Sequence, residues 1–288
     1  MISYTVNQNN VKVIKGEYYN IKQKYVRKKV IVFDLDETIG HFVHLQIIHK
    51  CFNRELTQEE FNQLLDLFPE FFRPGIITIF ELLLNKKKKN NLYKLYIYTN
   101  NQNNGEWVQM IVNYIQTKLK SHSLFDKIIN AFKINNKVVE LKRTSHIKQY
   151  SDFIQCTMLP EEIIETCFID NTYYDKMCED KIYYILPKSY YHSLKKQVMI
   201  RRIMGSSFPD KDILKKCLDS SLPENNYSSG LDEIAITKKI MYHVREFLYY
   251  PKIPRTNKTK RATTRKDGTR KKNIKSYKNN WTNIYNNE

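Results

Sequence analysis

Two carboxylates and a hydroxyl, Asp34, Asp36 and Thr38, follow the apolar run Val30, Ile31, Val32, Phe33 within five residues. Acids in that place are not packing residues. If the run is a strand buried on both faces of a parallel sheet, they stand at its carboxyl end, where α/β proteins open their ligand crevice. Two later apolar runs end the same way, one in Thr99-Asn100-Asn101 and one in Asp170-Asn171. The series suits phosphoryl transfer. A phosphate ester is an anion that repels a carboxylate nucleophile, so such a site needs Mg²⁺, which takes oxygen ligands of the kind Asp34, Asp170 and Asn171 supply. Asp34 would attack phosphorus to give an aspartyl-phosphate; Asp36 would protonate the leaving alkoxide and later deprotonate the attacking water.

The elements that must position these groups follow from hydrophobic periodicity. Residues 30–33, 92–98, 167–169 and 181–186 read as sheet strands, the last stopped by Pro187, with a further short strand at 125–129. Gly40 is expected to supply backbone freedom to the 34–40 turn. Residues 42–72 carry apolar positions at helical spacing, with Thr57 and Glu60 as a capping signal, and predict a small helical lid. Helices are predicted over 76–84, 107–119, 150–158, 190–204, 210–218 and 231–249, a solvated loop over 86–91, and a hairpin turning at Asn135-Asn136. Residues 18–26 read as a short strand or an approach to the core. Trp107 reads as core.

On these motifs the chain resembles the haloacid dehalogenase-like phosphatases, and within them the branch that dephosphorylates the RNA polymerase II C-terminal domain and related phosphoproteins. Phe33-Asp-Leu-Asp-Glu-Thr-Ile-Gly-His41 is close to that branch's D-L-D-E-T-L-x-H signature; Arg73-Pro-Gly75, Tyr98-Thr99-Asn100 and Phe168-Ile-Asp170-Asn171 resemble its later motifs. The resemblance implies Asp34 as nucleophile and Asp36 as acid/base. It implies Thr38, Thr99, Asn100 and Lys148 at the substrate, and a metal held by Asp34, the Asp36 carbonyl, Asp170 and Asn171. Lys148 is preferred as the phosphate lysine, with Lys142, beside Arg143, as the alternative. A D-x-D after an apolar run arises often by chance; five ordered matches carry the assignment. Taken alone, Thr99 is a strand-end residue, and His41 and His44 read as structural or solvated. Two departures stand out. The segment before the R-P-G is mainly extended in the family and helical here, and the family's carboxy-terminal recognition modules are replaced by helices and a basic tail.

Composition bounds the remainder. The 288 residues are 41% hydrophobic and carry a net charge of +18. Twelve Lys or Arg against two acids place +10 of that excess in residues 251–288, a tail too poor in apolar residues to fold alone. Electrostatic contact with nucleic acid through this tail is one expectation. A bias toward residues with A/T-rich codons, compatible with a large DNA virus, is a blander account of the basicity. Five cysteines with no C-x-x-C pair fit neither a disulfide framework nor a zinc site and read as reduced thiols. The start has no signal-peptide pattern and no run approaches the ~18 apolar residues of a membrane span, so an intracellular protein, cytoplasmic or nuclear, without membrane contact is expected. The expected organisation is an N-terminal segment (1–27), a doubly wound parallel α/β phosphatase domain (28–205, lid 42–72), C-terminal helices (206–250) and the tail. The expected activity is hydrolysis of protein phosphoserine or phosphothreonine, with the polymerase tail a candidate substrate. A nucleic-acid-end or nucleotide phosphatase is the alternative, and a non-catalytic binding protein with the same fold a third reading.

Overall fold

A computed structural model of the chain describes residues 2–8, 10–20, 26–103, 105–224 and 232–249. The basic tail expected at 251–288 lies outside them. In chain order the elements are β1 (Ile2–Gln8), β2 (Val11–Gly16), β3 (Lys28–Phe33), α1 (Val43–Cys51), α2 (Gln58–Asp66), α3 (Ile76–Lys88), β4 (Lys94–Tyr98), α4 (Gly105–Lys118), β5 (Lys127–Ile129), β6 (Lys133–Ile134), β7 (Lys137–Val138), α5 (Tyr150–Thr157), β8 (Ile164–Ile169), β9 (Ile182–Pro187), α6 (Lys196–Met204), α7 (Lys211–Ser221) and α8 (Glu233–Tyr249). The main sheet has the order β1-β2-β9-β8-β3-β4-β5. Its five strands from β9 to β5 are parallel, and β2 and β1 extend the β9 edge antiparallel. The first parallel strand in sequence, β3, therefore lies at the centre, with its chain successor β4 on one side and the much later β8 on the other. That is the topological switch point at which α/β sheets form their crevice.

Both faces of the sheet are covered, which is why its strands read as unbroken apolar runs. Alternate residues go to opposite sides as the period of two requires. Ile31, Phe33, Leu95, Ile97, Cys167, Ile169, Tyr183 and Ile185 join a core with α3, α4, α8 and the lid helices. Val30, Val32, Tyr96, Tyr98, Phe168 and Tyr184 join a smaller one with α5.

The lid forms as two helices, α1 and α2, followed by a short 3-10 turn at Pro69–Phe71. Thr57 accepts from the Glu60 backbone while the Glu60 carboxylate accepts from the Thr57 N–H, the reciprocal cap that the sequence signals. The Asn135-Asn136 hairpin also forms, with both residues at positive φ (49° and 62°), the conformation a two-residue turn demands and asparagine tolerates.

Several expectations are corrected. The strand near the N-terminus is Val11–Gly16, paired with β9, rather than 18–26; of that range the described part holds a 3-10 turn at Glu17–Asn20, and 21–25 lie outside the described residues. Residues 86–88 continue α3 instead of looping, because the Lys87 ammonium is drawn onto the Ser123 and Leu124 carbonyls and Asp126. Pro187 ends β9 from within, opposite Val11. Residues 190–195 are not helical: α6 begins at Lys196, and the preceding stretch bonds to the 34–40 loop through Tyr190 N–H on the Glu37 carbonyl. Among the described residues no helix is long and apolar enough to cross a membrane.

The reading of all five cysteines as reduced is also corrected. Cys51, at the end of α1, is bonded to Cys217 on α7, while Cys156, Cys167 and Cys178 are free. No local spacing could announce a pair 166 residues apart. The cross-link fixes the lid to the C-terminal helices, and closing so long a loop in the unfolded chain stabilises the fold by ~2–5 kcal/mol. Reductant should therefore lower the unfolding free energy of the wild type by about that amount and move its guanidinium midpoint downward. Cys51→Ser should show the lower midpoint already and no further response to reductant; a wild type indifferent to reductant would remove the cross-link from the stability of the fold.

Candidate active site

The register of the central strands brings the polar groups together. Phe33 is level with Ile169 of β8 and with Ile97 of β4, so Asp34 and Asp170 leave the sheet level with Tyr98, the last residue of β4, and Thr99 follows. Ladder-type bonds hold each exit: Asp34 N–H to the Ile169 carbonyl (2.9 Å), Asp170 N–H to Ile185 (3.1 Å) and Thr99 N–H to Ile129 (3.0 Å). Residues separated by 136 positions thus become neighbours through strand order alone.

Lys148 closes the group. Its ammonium donates to Asp34 Oδ1 (2.5 Å) and Asp170 Oδ2 (2.7 Å), and all three side chains are buried. Lys142, the alternative, is exposed. Burial disfavours the Lys148 charge, but Asp170 and Asp34 outweigh it and hold the ammonium above the usual lysine range. On the acids burial and neighbouring negative charge act in the same direction. Burial, then the charge of Asp34, pushes Asp170 upward, and the same pair of causes pushes Asp36 up to about 7. Three carboxylates around one ammonium leave an excess of negative charge in a poorly solvated place.

The loop carrying Asp36 is shaped by what approaches it. Glu37 is at positive φ (62°) and its N–H donates to the Gly40 carbonyl. Gly40 is not itself left-handed; a Cβ there would lie 2.4 Å from the Phe71 carbonyl oxygen and 2.4 Å from the Phe42 ring, so its role is close approach rather than backbone freedom. His41 N–H to Phe71 and Arg73 N–H to Ile39 then pair the loop with the end of the lid. The buried Arg73 guanidinium donates to the Thr38, Glu37 and Lys188 carbonyls and to Glu233 of α8, gathering four segments around the loop. Arg73 is therefore a positioning residue.

Thr38 and Asn171 bind each other. The Thr38 hydroxyl donates to Asn171 Oδ1 (2.8 Å) and accepts from the Asn171 N–H (3.0 Å), while the Asn171 amide donates to Ser189 and Glu37. The hydroxyl proton of Thr38 is thus engaged by Asn171. Asn100 is similarly engaged, accepting from Arg143 and donating to the Tyr174 hydroxyl. Thr99 is fully buried and its Oγ1 accepts from the Asn101 N–H.

Four contributors escape sequence reading. Asn101 donates to Asp36 Oδ2 (2.8 Å), directly after the motif already singled out. Arg143 donates to the Thr99 and Asn130 carbonyls as well as Asn100, pinning the loop that carries Lys148. Asp152 secures that loop from α5 by accepting from Thr144 and Gln149. A strap over residues 188–192 clasps Glu37, with Tyr190 N–H on its carbonyl and the Tyr191 hydroxyl on its carboxylate. Beside the strap sit His41, His44 and His192, all buried, so the two expected histidines are not solvated.

Asp36, Glu37, His41, Gln46, Asn100–Asn103 and Trp107 line an adjoining cleft of about 350 Å³. Trp107, nearly buried against Phe61 and His49, serves both core and cleft. The arrangement offers a carboxylate held by a lysine, a second carboxyl poised to gain or lose a proton near neutrality, and a recess that admits a side chain. No protein-family model matches the chain, and no curated protein matches it.

The geometry separates the two lysines by stability alone. Lys148→Ala leaves two buried carboxylates facing one another and should cost ~3–5 kcal/mol in denaturant unfolding. Lys142→Ala should stay within about 0.5 kcal/mol. Equal small effects would show that Lys148 is not buried between Asp34 and Asp170.

Proposed function

We propose that the chain is a Mg²⁺-dependent phosphomonoester hydrolase of the haloacid dehalogenase-like kind, working through an aspartyl-phosphate on Asp34. The observation that carries this reading is the convergence of Asp34, Asp170 and Thr99 at adjacent strand ends, with Lys148 bridging the two acids. A buried carboxylate could be held by a lysine for stability only. That account leaves Asp36 unexplained, since its carboxyl is half-buried in the cleft, supported by Asn101 and pushed up to about 7.

The donor set fits the ion. Three carboxylates against one ammonium call for further positive charge, and all available donors are oxygens, which suits Mg²⁺. The Asp34 carboxylate, the Asp36 carbonyl, Asp170 and the second lone pair of Asn171 Oδ1 would hold it. When bound, the ion neutralises charge on the phosphoryl group. The chain's own residues do the remainder. Lys148 holds one Asp34 oxygen and leaves the other to attack phosphorus, so that a new P–O bond forms as the ester P–O bond breaks. Asp36 gives its proton to the departing alkoxide, then takes one from the water that cleaves the acyl phosphate and frees Asp34.

Protein phosphoserine or phosphothreonine is the favoured substrate class. Among the described residues the cleft is lined by amides, Asp36, Glu37, His41 and Trp107, with no lysine or arginine. Nucleic-acid sites draw most of their affinity from cations against the backbone phosphates, whereas amide groups and an aromatic ring suit a peptide.

The test is hydrolysis of p-nitrophenyl phosphate with Mg²⁺ and with chelator. Turnover should need the ion, vanish in Asp34→Asn and fall ~10²–10⁴-fold in Asp36→Asn. An inert wild type, or an Asp34→Asn variant as fast as wild type, would sink the reading. Phosphopeptides should then be turned over faster than oligonucleotides bearing terminal phosphates; the reverse order would reassign the substrate.

A further inference from the structure

Three histidines outside the proposed chemistry meet behind the catalytic loop. His41 ends that loop, His44 lies in the first turn of α1, and His192 belongs to the strap 188–192. Each is at least 96% buried. One nitrogen from each falls within 4.8 Å of the others, and His192 Nε2 is 3.1 Å from His44 Nδ1. The rings are splayed rather than stacked flat, at 42° to 80° to one another with centroids 4.8–5.9 Å apart, so their edges rather than their faces converge.

We infer that His41, His44 and His192 form a binding site for a transition-metal ion of the Zn²⁺ class, separate from the oxygen site at Asp34. Zn–N bonds of ~2.0–2.1 Å in tetrahedral geometry place ligand nitrogens roughly 3.3 Å apart. The His44–His192 pair already has nearly that spacing, and the wider contacts close by about 1.5 Å through ring rotation. Imidazole is a borderline donor that suits Zn²⁺, Co²⁺ or Ni²⁺ and not Mg²⁺, so the two sites select different ions by chemistry. Three nitrogens leave the fourth position to water. Ligation through His192 Nε2 moves that ring's proton to Nδ1, where the Leu194 N–H now donates, so the peptide at 193–194 must turn away as the ion enters.

The rival explanation is a hydrogen-bonded histidine pair packed beside a third ring. It accounts for the 3.1 Å contact alone. The metal reading accounts also for the third imidazole, since His41 and His44 from one stretch and His192 from a distant one turn a nitrogen each toward the same point. Its consequence reaches the active site, since the strap holds Glu37 through Tyr190 and Tyr191 and Asn171 through Ser189. An ion joining loop, lid and strap would fix the geometry of the Asp36 turn without touching substrate.

The test uses the full chain stripped of metal, loaded with Zn²⁺ or Co²⁺ in excess Mg²⁺, and dialysed. One equivalent of Zn²⁺ should be retained. Co²⁺ should give the intense visible absorption of a tetrahedral nitrogen site, and Asp34→Asn should keep both properties, which separates this site from the hydrolytic one. His192→Gln and His44→Gln should each lose the Co²⁺ band and most of the bound Zn²⁺. Wild type that retains no Zn²⁺, or shows only the weak absorption of octahedral Co²⁺, overturns the proposal whether or not the variants fold. So does a band unchanged in a folded His192→Gln.

Discussion

The structure depends on keeping negative charge buried at the end of its central strand. Asp34 and Asp170 leave β3 and β8 at the same height, and two carboxyl groups side by side in so dry a place call for a cation between them. Lys148 supplies that cation, but it must come from a loop that lies on no strand. The supports on that loop are correspondingly many: Arg143 is fastened to three backbone or amide oxygens from 99–130, and Asp152 ties the loop back to α5. Tyr98, Phe168 and Tyr174 place ring faces 5.5–5.8 Å from the ammonium. Aromatic faces favour a desolvated cation without offering it an anion to prefer over the two acids.

The second constraint is that the Asp36 turn must be rigid although it is exposed to a cleft. The sheet alone cannot hold it, because β3 ends at Phe33. Rigidity comes from elements far off in sequence: the Phe71 carbonyl against Gly40, the Arg73 guanidinium beneath Glu37 and Thr38, and the strap over Glu37. Arg73 also bonds Glu233, so α8 bears on the same turn. The lid supplies the apposed carbonyl and the residue just after it the arginine, so this stretch is part of the scaffold of the Asp36 turn.

What the sequence disclosed follows from this division. Strands covered on both faces must be continuous apolar runs, and their polar terminators stand out, so Asp34, Thr99 and Asp170 were legible. Turn chemistry was legible where φ is demanding, as at Asn135-Asn136. Tertiary override accounts for the misses. The lysine run at 86–88 looks like a solvated loop until Asp126 is known to lie beside it, and the strap, read as the start of the 190–204 helix, stays out of it because Tyr190, Tyr191 and His192 spend their contacts on Glu70, Glu37 and His44. The Cys51–Cys217 bond and the pairing of β2 with β9 are invisible for the same reason, being contacts of very large sequence separation. Thr38 stood out by its motif, but its bond to Asn171, 133 residues away, was not legible because strand order alone brings the two together.

Charge distribution sets a further condition on the proposed chemistry. The chain is strongly basic, yet its excess lies mostly in residues 251–288 while the cleft presents Asp36 and Glu37. At physiological ionic strength fields between exposed charges fade over about 8 Å. An exposed lysine beyond that reach adds little to the attraction of a phosphate into the recess. A phosphate dianion entering it meets Asp36 and Glu37 and, among the described lining residues, no lysine or arginine, while Lys148 is already shared between two acids. Its entry is unfavourable until more positive charge is present among the oxygens of Asp34, Asp170 and Asn171. On the proposed reading the order of binding is thereby imposed by electrostatics, cation before phosphate, and the burial that raises Asp36 toward neutrality is what gives the departing oxygen its proton once both are in place.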